Sequence, residues 1–244
     1  LALMTGLQGE LQARILGSSA HVFVYKPAGI TDYHAEVQKL SSVPGVIGAA
    51  PAVIGKALIT GLKPGFVEIK GIDARLEAGV TDIGHAVTDG SLGGLKPATD
   101  EDLAGIVLGK DLANDIGAKV GDTVRLTTPN GTLSPMGVMP RQRRLKVAGL
   151  FRMGLYQIDA GYAFVDLDTG MVLAGTDRVD HIEVKVANVY DAPRIADEIA
   201  DQFGHDYVTQ DWTDVNQQLY SALLLEKIGM GIGIGLIVAV AALN

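Results

Sequence analysis

Hydrophobic and polar residues form two β-α-β patterns, one near each end of the chain. The first pattern predicts a strand, a helix and two further strands, at residues 21–25, 31–40, 56–60 and 66–72. Thr31 and Asp32 can cap its helix. The second pattern predicts a strand, an amphipathic helix and a short strand, at residues 181–186, 192–203 and 207–208. Because a long stretch separates the two patterns, they predict one pseudo-symmetric unit that an insertion has split.

We therefore predict an α+β fold with two subdomains. A split ferredoxin-like porter subdomain, residues 20–72 plus 178–211, carries an inserted mixed α/β second subdomain, residues 73–177. Within the insert, strands are predicted at residues 106–108, 123–128, 144–149 and 162–165, and helices at 110–116 and 166–173. Residues 74–101 are rich in glycine, threonine and aspartate, which predicts loop with short helical turns.

The C-terminal residues 212–244 predict a helix that continues into a membrane. Val215, Leu219 and Leu223 form an apolar stripe, and no side chain from Ile228 onwards is charged. As a helix, this last run covers about 25 Å, a little less than the roughly 30 Å hydrocarbon core of a bilayer. We interpret it as the truncated start of a second transmembrane helix. The alternative is a buried core helix or a glycine-rich strand.

The N-terminal residues 1–19 predict a juxtamembrane helix that follows a first transmembrane helix. Met4, Leu7 and Leu11 lie on one helical face, and glycine and serine residues end the pattern at residues 17–19. The sequence starts with leucine rather than methionine, so we expect it to be part of a longer protein. The simplest arrangement is a water-exposed domain whose two ends return to the same face of one bilayer.

Composition excludes several classes of function. The formal net charge is −8, which argues against nucleic-acid binding because that function requires a basic face. The absence of cysteine excludes disulfides and thiolate metal sites. The five histidines are scattered without metal-binding spacing, and no nucleotide-binding glycine motif is present. We predict no catalytic residues, no metal and no cofactor.

One segment of the insert, residues 127–144, differs from the predicted strands. Pro129, Pro135 and Pro140 cannot donate hydrogen bonds to a β ladder. Apolar residues lie between the last two prolines, and an Arg-Gln-Arg-Arg cluster follows at residues 141–144. These features favour a projecting loop with an exposed methionine and a cationic base. The alternative is a hairpin folded back on its own domain, with Met136 filling a gap.

Several sequence segments resemble one protein family. They read MTGLQGELQARILG, IVLGKDL, PMGVMP and RRLKVAGLFRMG, at residues 4–17, 106–112, 135–140 and 143–154, and residues 212–244 complete the set. The chain resembles, over nearly its whole length, the periplasmic domain of the LolC/LolE permeases. These permeases are the membrane subunits of the bacterial lipoprotein-releasing ABC transporter.

This resemblance implies a cellular location and a set of partners. Such permeases have four membrane helices, and a MacB-like periplasmic domain lies between the first and the second. The expected location is the bacterial inner membrane, with this segment mostly in the periplasm. The expected partners are a LolA-like carrier, a LolE-like or identical permease subunit, a LolD-like ATPase and the lipoprotein substrate. The permease subunit itself is expected to be non-catalytic.

The resemblance also implies a carrier-binding site. In the LolC branch, a β-hairpin hook enters the carrier LolA, and a polar pad supports it. By position, the hook is residues 129–140, which include Pro129, Pro135, Met136, Gly137, Val138, Met139 and Pro140. The pad is Arg125, Gln142 and Arg143. The PMGVMP element favours a LolC-like subunit or a hybrid of LolC and LolE.

Three rival functions stay open at this stage. A MacB-like exporter or an FtsX-like signalling permease has a similar periplasmic domain, and a MacB-type protein carries its ATPase domain before the first membrane helix. A membrane-attached binding module without energy coupling belongs to a different class. An ATPase subunit encoded beside this protein would argue against that module.

Overall fold

The computed structural model describes residues 19–99, 102–134, 137–204, 206–215, 225, 228–233, 235, 240 and 241. Ten strands are formed: β1 (Val22–Ile30), β2 (Val46–Thr60), β3 (Pro64–Ile72), β4 (Val87–Gly90), β5 (Gly105–Gly109), β6 (Thr123–Ser134), β7 (Gly137–Phe151), β8 (Tyr162–Asp166), β9 (Val179–Val186) and β10 (Val208–Asp211). The helices are α1 (Tyr33–Ser41), α2 (Ala74–Glu77), α3 (Ile83–Ala86), α4 (Lys110–Ile116), α5 (Tyr156–Gly161), α6 (Leu167–Ala174), α7 (Ala192–Phe203) and α8 (Trp212–Val215). Single 3₁₀ turns occur at Leu92–Leu95 and Val189–Asp191.

All ten strands belong to one mixed sheet. Its order is β10-β1-β9-β2-β3-β8-β5-β7-β4, and β6 pairs with both β2 and β7. The β3–β8 and β5–β7 pairs are parallel, whereas the other pairs are antiparallel. The predicted α+β class is confirmed, and the structure shows that its strands form one large mixed sheet.

Local sequence signals account for the helices of both β-α-β patterns and for one helix of the predicted insert. The Asp32 side chain accepts a hydrogen bond from Ala35 N at 3.1 Å and caps α1. Helix α4 ends at Gly117, whose φ of 70° suits glycine. Helix α7 buries Ile195 and Ile199, which lie one turn apart on its apolar face.

Two larger apolar clusters lie along the sheet. The first contains buried residues from 22–53 and 179–212, together with Leu167. The second contains buried residues from 57–69 and 106–173. Strand β2 contributes to both clusters, since Val53 packs in the first and Ala57 in the second. The division into a porter subdomain and an inserted subdomain stays a prediction, with the boundaries given above.

Helix α6 approaches strand β3 closely through two glycines. A Cβ atom built on Gly170 would lie 2.7 Å from the Cα of Gly71. We expect Gly170→Ala to lower the free energy of unfolding by about 1–3 kcal/mol, because backbone must shift to admit the methyl group. Denaturant titration measures this change. The matched control is Gly161→Ala, where the new Cβ meets nothing within 4 Å and no loss is expected. Equal stability of the two variants would contradict the prediction.

The predicted membrane-directed ends fall partly outside the described residues. Residues 1–18, and much of 216–244, are among those that the structure does not describe. Three described residues of the C-terminal run, Ile228, Ile232 and Val240, are each more than half exposed. Among the residues that the structure describes, no helix is both long and apolar enough to cross a membrane.

Candidate functional site

Strands β6 and β7 form a long hairpin whose outer part is paired only with itself. The antiparallel register runs from Thr123 opposite Lys146 to Ser134 opposite Gly137, the last pair before the turn. Strand β6 also pairs with β2, but that ladder ends at Thr127 opposite Leu58. Beyond Thr127, the described ladder of the hairpin therefore consists of these two strands alone.

The two described prolines of this segment lie inside strands, so the predicted loop is wrong at these two positions. Pro129 belongs to β6 and Pro140 to β7. The register shifts between Thr128 and Thr132, and Pro129 lies within this irregularity. A proline costs no ladder hydrogen bond where the ladder is already interrupted, which is why a bulge accommodates it.

The described residues of the predicted hook lie in the outer part of this hairpin. Pro135 and Met136, at the predicted tip, lie outside the described residues. Gly137 is the first residue of β7, and the next two positions, Val138 and Met139, are paired with Leu133 and Thr132 across the ladder. The backbone of the described hook residues forms two paired strands, whereas their role in carrier binding stays a prediction.

The predicted pad residues are adjacent in the ladder but are divided between its two faces. Directly opposite residues in an antiparallel pair point to the same face, and neighbours along a strand alternate. Arg125 is opposite Arg144, whereas Arg143 is opposite the buried Leu126. Arg125, Gln142 and Arg144 therefore share one face of the hairpin, which we call the outer face. Arg143 belongs to the opposite face. The predicted pad omits Arg144, although this residue belongs to the Arg-Gln-Arg-Arg cluster at residues 141–144.

The basic residues of the hairpin carry positive charge that the described chain does not neutralise. Arg125 and Arg144 face each other as like charges, an unfavourable arrangement in isolation. Among the described residues, no carboxylate lies within ion-pairing distance of Arg125, Arg143 or Arg144. This arrangement can accept an anionic partner at low electrostatic cost.

Arg141 has a different role from its neighbours. Its Nη1 donates a hydrogen bond to the carbonyl oxygen of Val172 at 3.0 Å, near the C-terminal end of α6. A cation is favourable beside the carbonyl groups at a helix C-terminus. Arg141 therefore ties the base of the hairpin to α6.

A groove opens on the outer face of the sheet beside the hairpin. Its volume is about 660 Å³, and its lining includes Lys56, Leu58, Phe66, Thr127, Pro129 and Pro140. Phe66 is opposite Leu58 on β2, and Leu58 is opposite Thr127 on β6, so these side chains form one row across three strands. Phe66 is 86% exposed. The strand alternation of residues 66–72 contained the signal for this exposed aromatic, because Phe66 falls on the same face as Glu68.

The carboxylate of Glu68 at the groove is already engaged. Burial, together with the hydrogen bond and charge of Glu68, raises the pKa of Tyr162 to about 12. Tyr162 therefore remains a neutral hydroxyl that donates to this carboxylate. Lys56, opposite Glu68 in the ladder, leaves the groove with exposed positive charge.

A second charged cluster is buried between β3, α2 and β9. Lys70 Nζ lies 2.8 Å from Glu77 Oε1 and 2.7 Å from Glu183 Oε2. His181 Nε2 lies 3.4 Å from the other oxygen of Glu183, and Thr81 donates to Glu77 at 2.9 Å. Within the described residues, Glu77 Oε2 has no hydrogen-bond partner.

The charges of this cluster depend on one lysine. Burial opposes the charged form of Lys70, but the two carboxylates raise its pKa above its ordinary value. Burial raises the pKa of Glu77, whereas Lys70 and His181 overcome burial and lower the pKa of Glu183 to about 2. In residues 67–70 (VEIK), Glu68 and Lys70 alternate with two apolar residues, which is typical of a strand with one solvent-exposed face. The sequence therefore carried no sign that Lys70 is buried. His181 lies here in a hydrogen-bonded structural position.

No site for a metal ion is formed by the described residues. They contain no group of three or more histidine, aspartate or glutamate side chains that could hold one. The features that distinguish the described surface are the hairpin, its basic residues and the adjoining groove.

Comparison with known proteins gives one family and a consistent set of relatives. The model of the MacB-like periplasmic core domain matches residues 1–202. The chain is 35% identical over 245 residues to the lipoprotein-releasing system transmembrane protein LolC of Xylella fastidiosa, covering 100% of this chain and 58% of that protein. It is 32% identical over 248 residues to LolC of Neisseria meningitidis, covering 100% of this chain and 59% of that protein. The chain thus spans less than two thirds of these relatives.

A solved structure has the same fold. The periplasmic region of MacB from Actinobacillus actinomycetemcomitans matches with a TM-score of 0.51 and 14% identity, covering 85% of this chain and 95% of that one. At this identity the likeness concerns the fold alone.

Proposed function

We propose, from the premise that this chain belongs to the family of MacB-like periplasmic core domains, that it is the periplasmic domain of a lipoprotein-releasing permease. In this proposal the domain passes lipoproteins from the inner membrane to a LolA-like carrier. The β6–β7 hairpin is the element that enters the carrier. The permease subunit is non-catalytic, and a separate LolD-like subunit hydrolyses ATP.

The observation that carries this proposal is the self-paired outer part of the hairpin. The end of the hairpin, at Ser134 and Gly137, lies beyond the last ladder contact with β2. A hairpin that extends past its sheet is suited to enter a concave partner. The similarity of the whole of this chain to part of the proteins named LolC supports the same assignment.

The chemistry of the hairpin fits a carrier that holds acyl chains. Such a carrier presents an apolar cavity, and a methionine side chain can enter one with little strain because it is flexible. Burial of a methionine contributes about 1.5–3 kcal/mol. The arginines at the hairpin base can bind carboxylates on the carrier rim in bidentate fashion.

The proposal assigns a mechanical role to both ends of the chain. Residues 1–17 and 212–227 connect the domain to membrane helices that ATP hydrolysis moves. A second permease subunit, LolE-like or identical to this one, completes the membrane part. The lipoprotein enters from the bilayer between the two permease subunits and leaves at the hairpin.

Co-purification tests this proposal. The full-length protein that contains this chain is purified in mild detergent through an affinity tag, with and without the empty carrier of the same organism. We expect a separate ATPase subunit in the complex and stoichiometric binding of the empty carrier. Carrier already loaded with lipoprotein is the matched control, and it should bind much less because its cavity is filled.

Two outcomes would contradict the proposal. Purification without any carrier binding would contradict the proposed transfer of lipoproteins to the carrier. An ATPase domain on the same polypeptide, before the first membrane helix, would favour a MacB-like exporter instead.

A further inference from the structure

The groove at the hairpin base is continuous with the surface that the proposed function assigns to the carrier. Pro129 and Pro140 line the groove and also belong to the two strands of the hairpin. From Pro140 to Gly137 the chain runs for three residues, roughly 10 Å at the rise of a β-strand. A partner whose cavity receives the hairpin tip to this depth therefore brings its rim to the groove.

The groove is apolar at its centre and cationic at its edge. Phe66 and Leu58 form the apolar part, and Phe66 is almost fully exposed. Lys56 is in the lining, and Arg125 and Arg144 follow in the next row of the outer face. The lining carboxylate of Glu68 is occupied by the Tyr162 hydroxyl.

These charges contrast with the rest of the molecule. The whole chain has a net charge of −8, yet this face carries Lys56, Arg125 and Arg144 in the two rows that adjoin the row of the exposed Phe66. Exposed aromatic side chains beside arginines are typical of the residues that contribute most to protein–protein affinity. An acyl chain would gain nothing from the cations, whereas a protein rim with carboxylates would.

We propose that this groove is a second docking site for the carrier, which receives an apolar side chain of the carrier rim while Lys56, Arg125 and Arg144 bind rim carboxylates. This inference rests on the proposed function and adds Lys56, Phe66 and Arg144 to the contact surface, beside the predicted hook and pad, to which Pro129, Pro140 and Arg125 belong. The partner is thereby held at two places, one inside its cavity and one on its rim.

Affinity measurements with two groove variants test this inference. In the full-length protein with its partner subunits in detergent, Phe66→Ser removes the aromatic ring, and Gly161→Glu adds a carboxylate in the groove. A Cβ atom built on Gly161 meets nothing within 4 Å, so the fold is expected to tolerate this substitution. We expect each variant to bind the empty carrier roughly tenfold more weakly than the wild type.

Each variant has a matched control in the same chain. Leu62→Ser alters a side chain that is equally exposed, at 86%, on the same β2–β3 hairpin but outside the groove lining. Gly84→Glu makes the same change as Gly161→Glu at another open position. Both controls are expected to bind the carrier as tightly as the wild type.

The outcomes separate this inference from the proposed function. If hook variants weaken binding but Phe66→Ser and Gly161→Glu do not, the second docking site is refuted and the proposed function stands. If the controls weaken binding equally, the groove has no specific role and the inference fails. If the wild type does not bind the carrier at all, both fail.

Cross-linking identifies the occupant directly. A photoreactive residue at position 66 should cross-link to the carrier, and one at position 62 should not. Cross-linking from position 66 to an acyl chain, to the second permease subunit or to another copy of this chain would overturn the inference.

Discussion

Replacing Met136 with glutamate is expected to abolish capture of the carrier by the full-length permease. The proposed function places this side chain in the apolar cavity of the carrier. Loss of its burial costs about 1.5–3 kcal/mol, roughly a 10- to 150-fold loss of affinity. A carboxylate in the same cavity adds a desolvation penalty. Titration of the purified permease with empty carrier measures the change.

A conservative substitution at Met136 and a charge reversal outside the hairpin provide the controls for this experiment. Met136→Leu keeps an apolar side chain of similar volume and should retain most of the affinity. Arg143→Glu should weaken binding strongly, whereas Arg75→Glu, the same change at an exposed arginine of α2 outside the hairpin, should not. Wild-type affinity in both Met136→Glu and Arg143→Glu would rule out the hairpin as the carrier-binding element.

Replacing Lys70 with methionine is expected to lower the free energy of unfolding by about 3–5 kcal/mol near neutral pH. The change leaves the carboxylates of Glu77 and Glu183, both buried, without their common cation. Chemical denaturation of this chain measures the loss. The triple variant in which both glutamates also become glutamine should recover much of it, because no buried charge remains. A single Lys70→Met variant as stable as the wild type would contradict this interpretation.

The pH dependence of the same variant gives an independent check. In the folded wild type the pKa of Glu183 is lowered from 4.5 to about 2, so its contribution to stability is present above pH 4.5 and is lost as the pH falls to about 2. Without Lys70, burial dominates and raises the folded pKa of both carboxylates. Their penalty is then largest at neutral pH and disappears as the pH falls below 4.5. The stability difference between the wild type and Lys70→Met should therefore shrink as the pH falls from 7 to 4.5.

The parts of the fold that were predictable are those with strong local signals. Helix α7 was predicted with its observed bounds because Ile195 and Ile199 repeat at helical spacing inside a polar sequence. Helix α4 was predicted to end at Gly117, since glycine there adopts the left-handed conformation. In both cases the deciding interactions lie within one helix.

The parts of the fold that were not predicted from the sequence depend on pairing between strands that are distant in the chain. Strand β4, in the glycine-rich region, was missed because it exists only through its pairing with β7. Strand β2 continues through Pro51, which has no amide hydrogen to donate, because β9 supports it on one side. The prolines of the hairpin suggested a loop, since the register shift that accommodates them cannot be recognised before the partner strand is known.

The candidate site was predictable as a segment and not as a surface. The family resemblance predicted a carrier-binding site at residues 129–140 and the pad, but only the strand register shows that Arg143 lies on the opposite face from Arg125. The groove joins β2, β3, α5 and the hairpin, which are distant in sequence. The exposed Phe66 indicates a groove only together with Leu58 and Thr127, which lie beside it in the folded sheet.

Strand β2, which contributes to both apolar clusters, has one further consequence. Its fifteen residues form a hydrogen-bonded rod roughly 50 Å long. One end, at Val46, lies beside β9, and the other, at Thr60, lies beside the base of the β6–β7 hairpin. A force applied at the first end would act along a hydrogen-bonded strand, because no flexible linker interrupts Val46–Thr60. One continuous strand therefore connects the part of the sheet around β9 with the base of the β6–β7 hairpin.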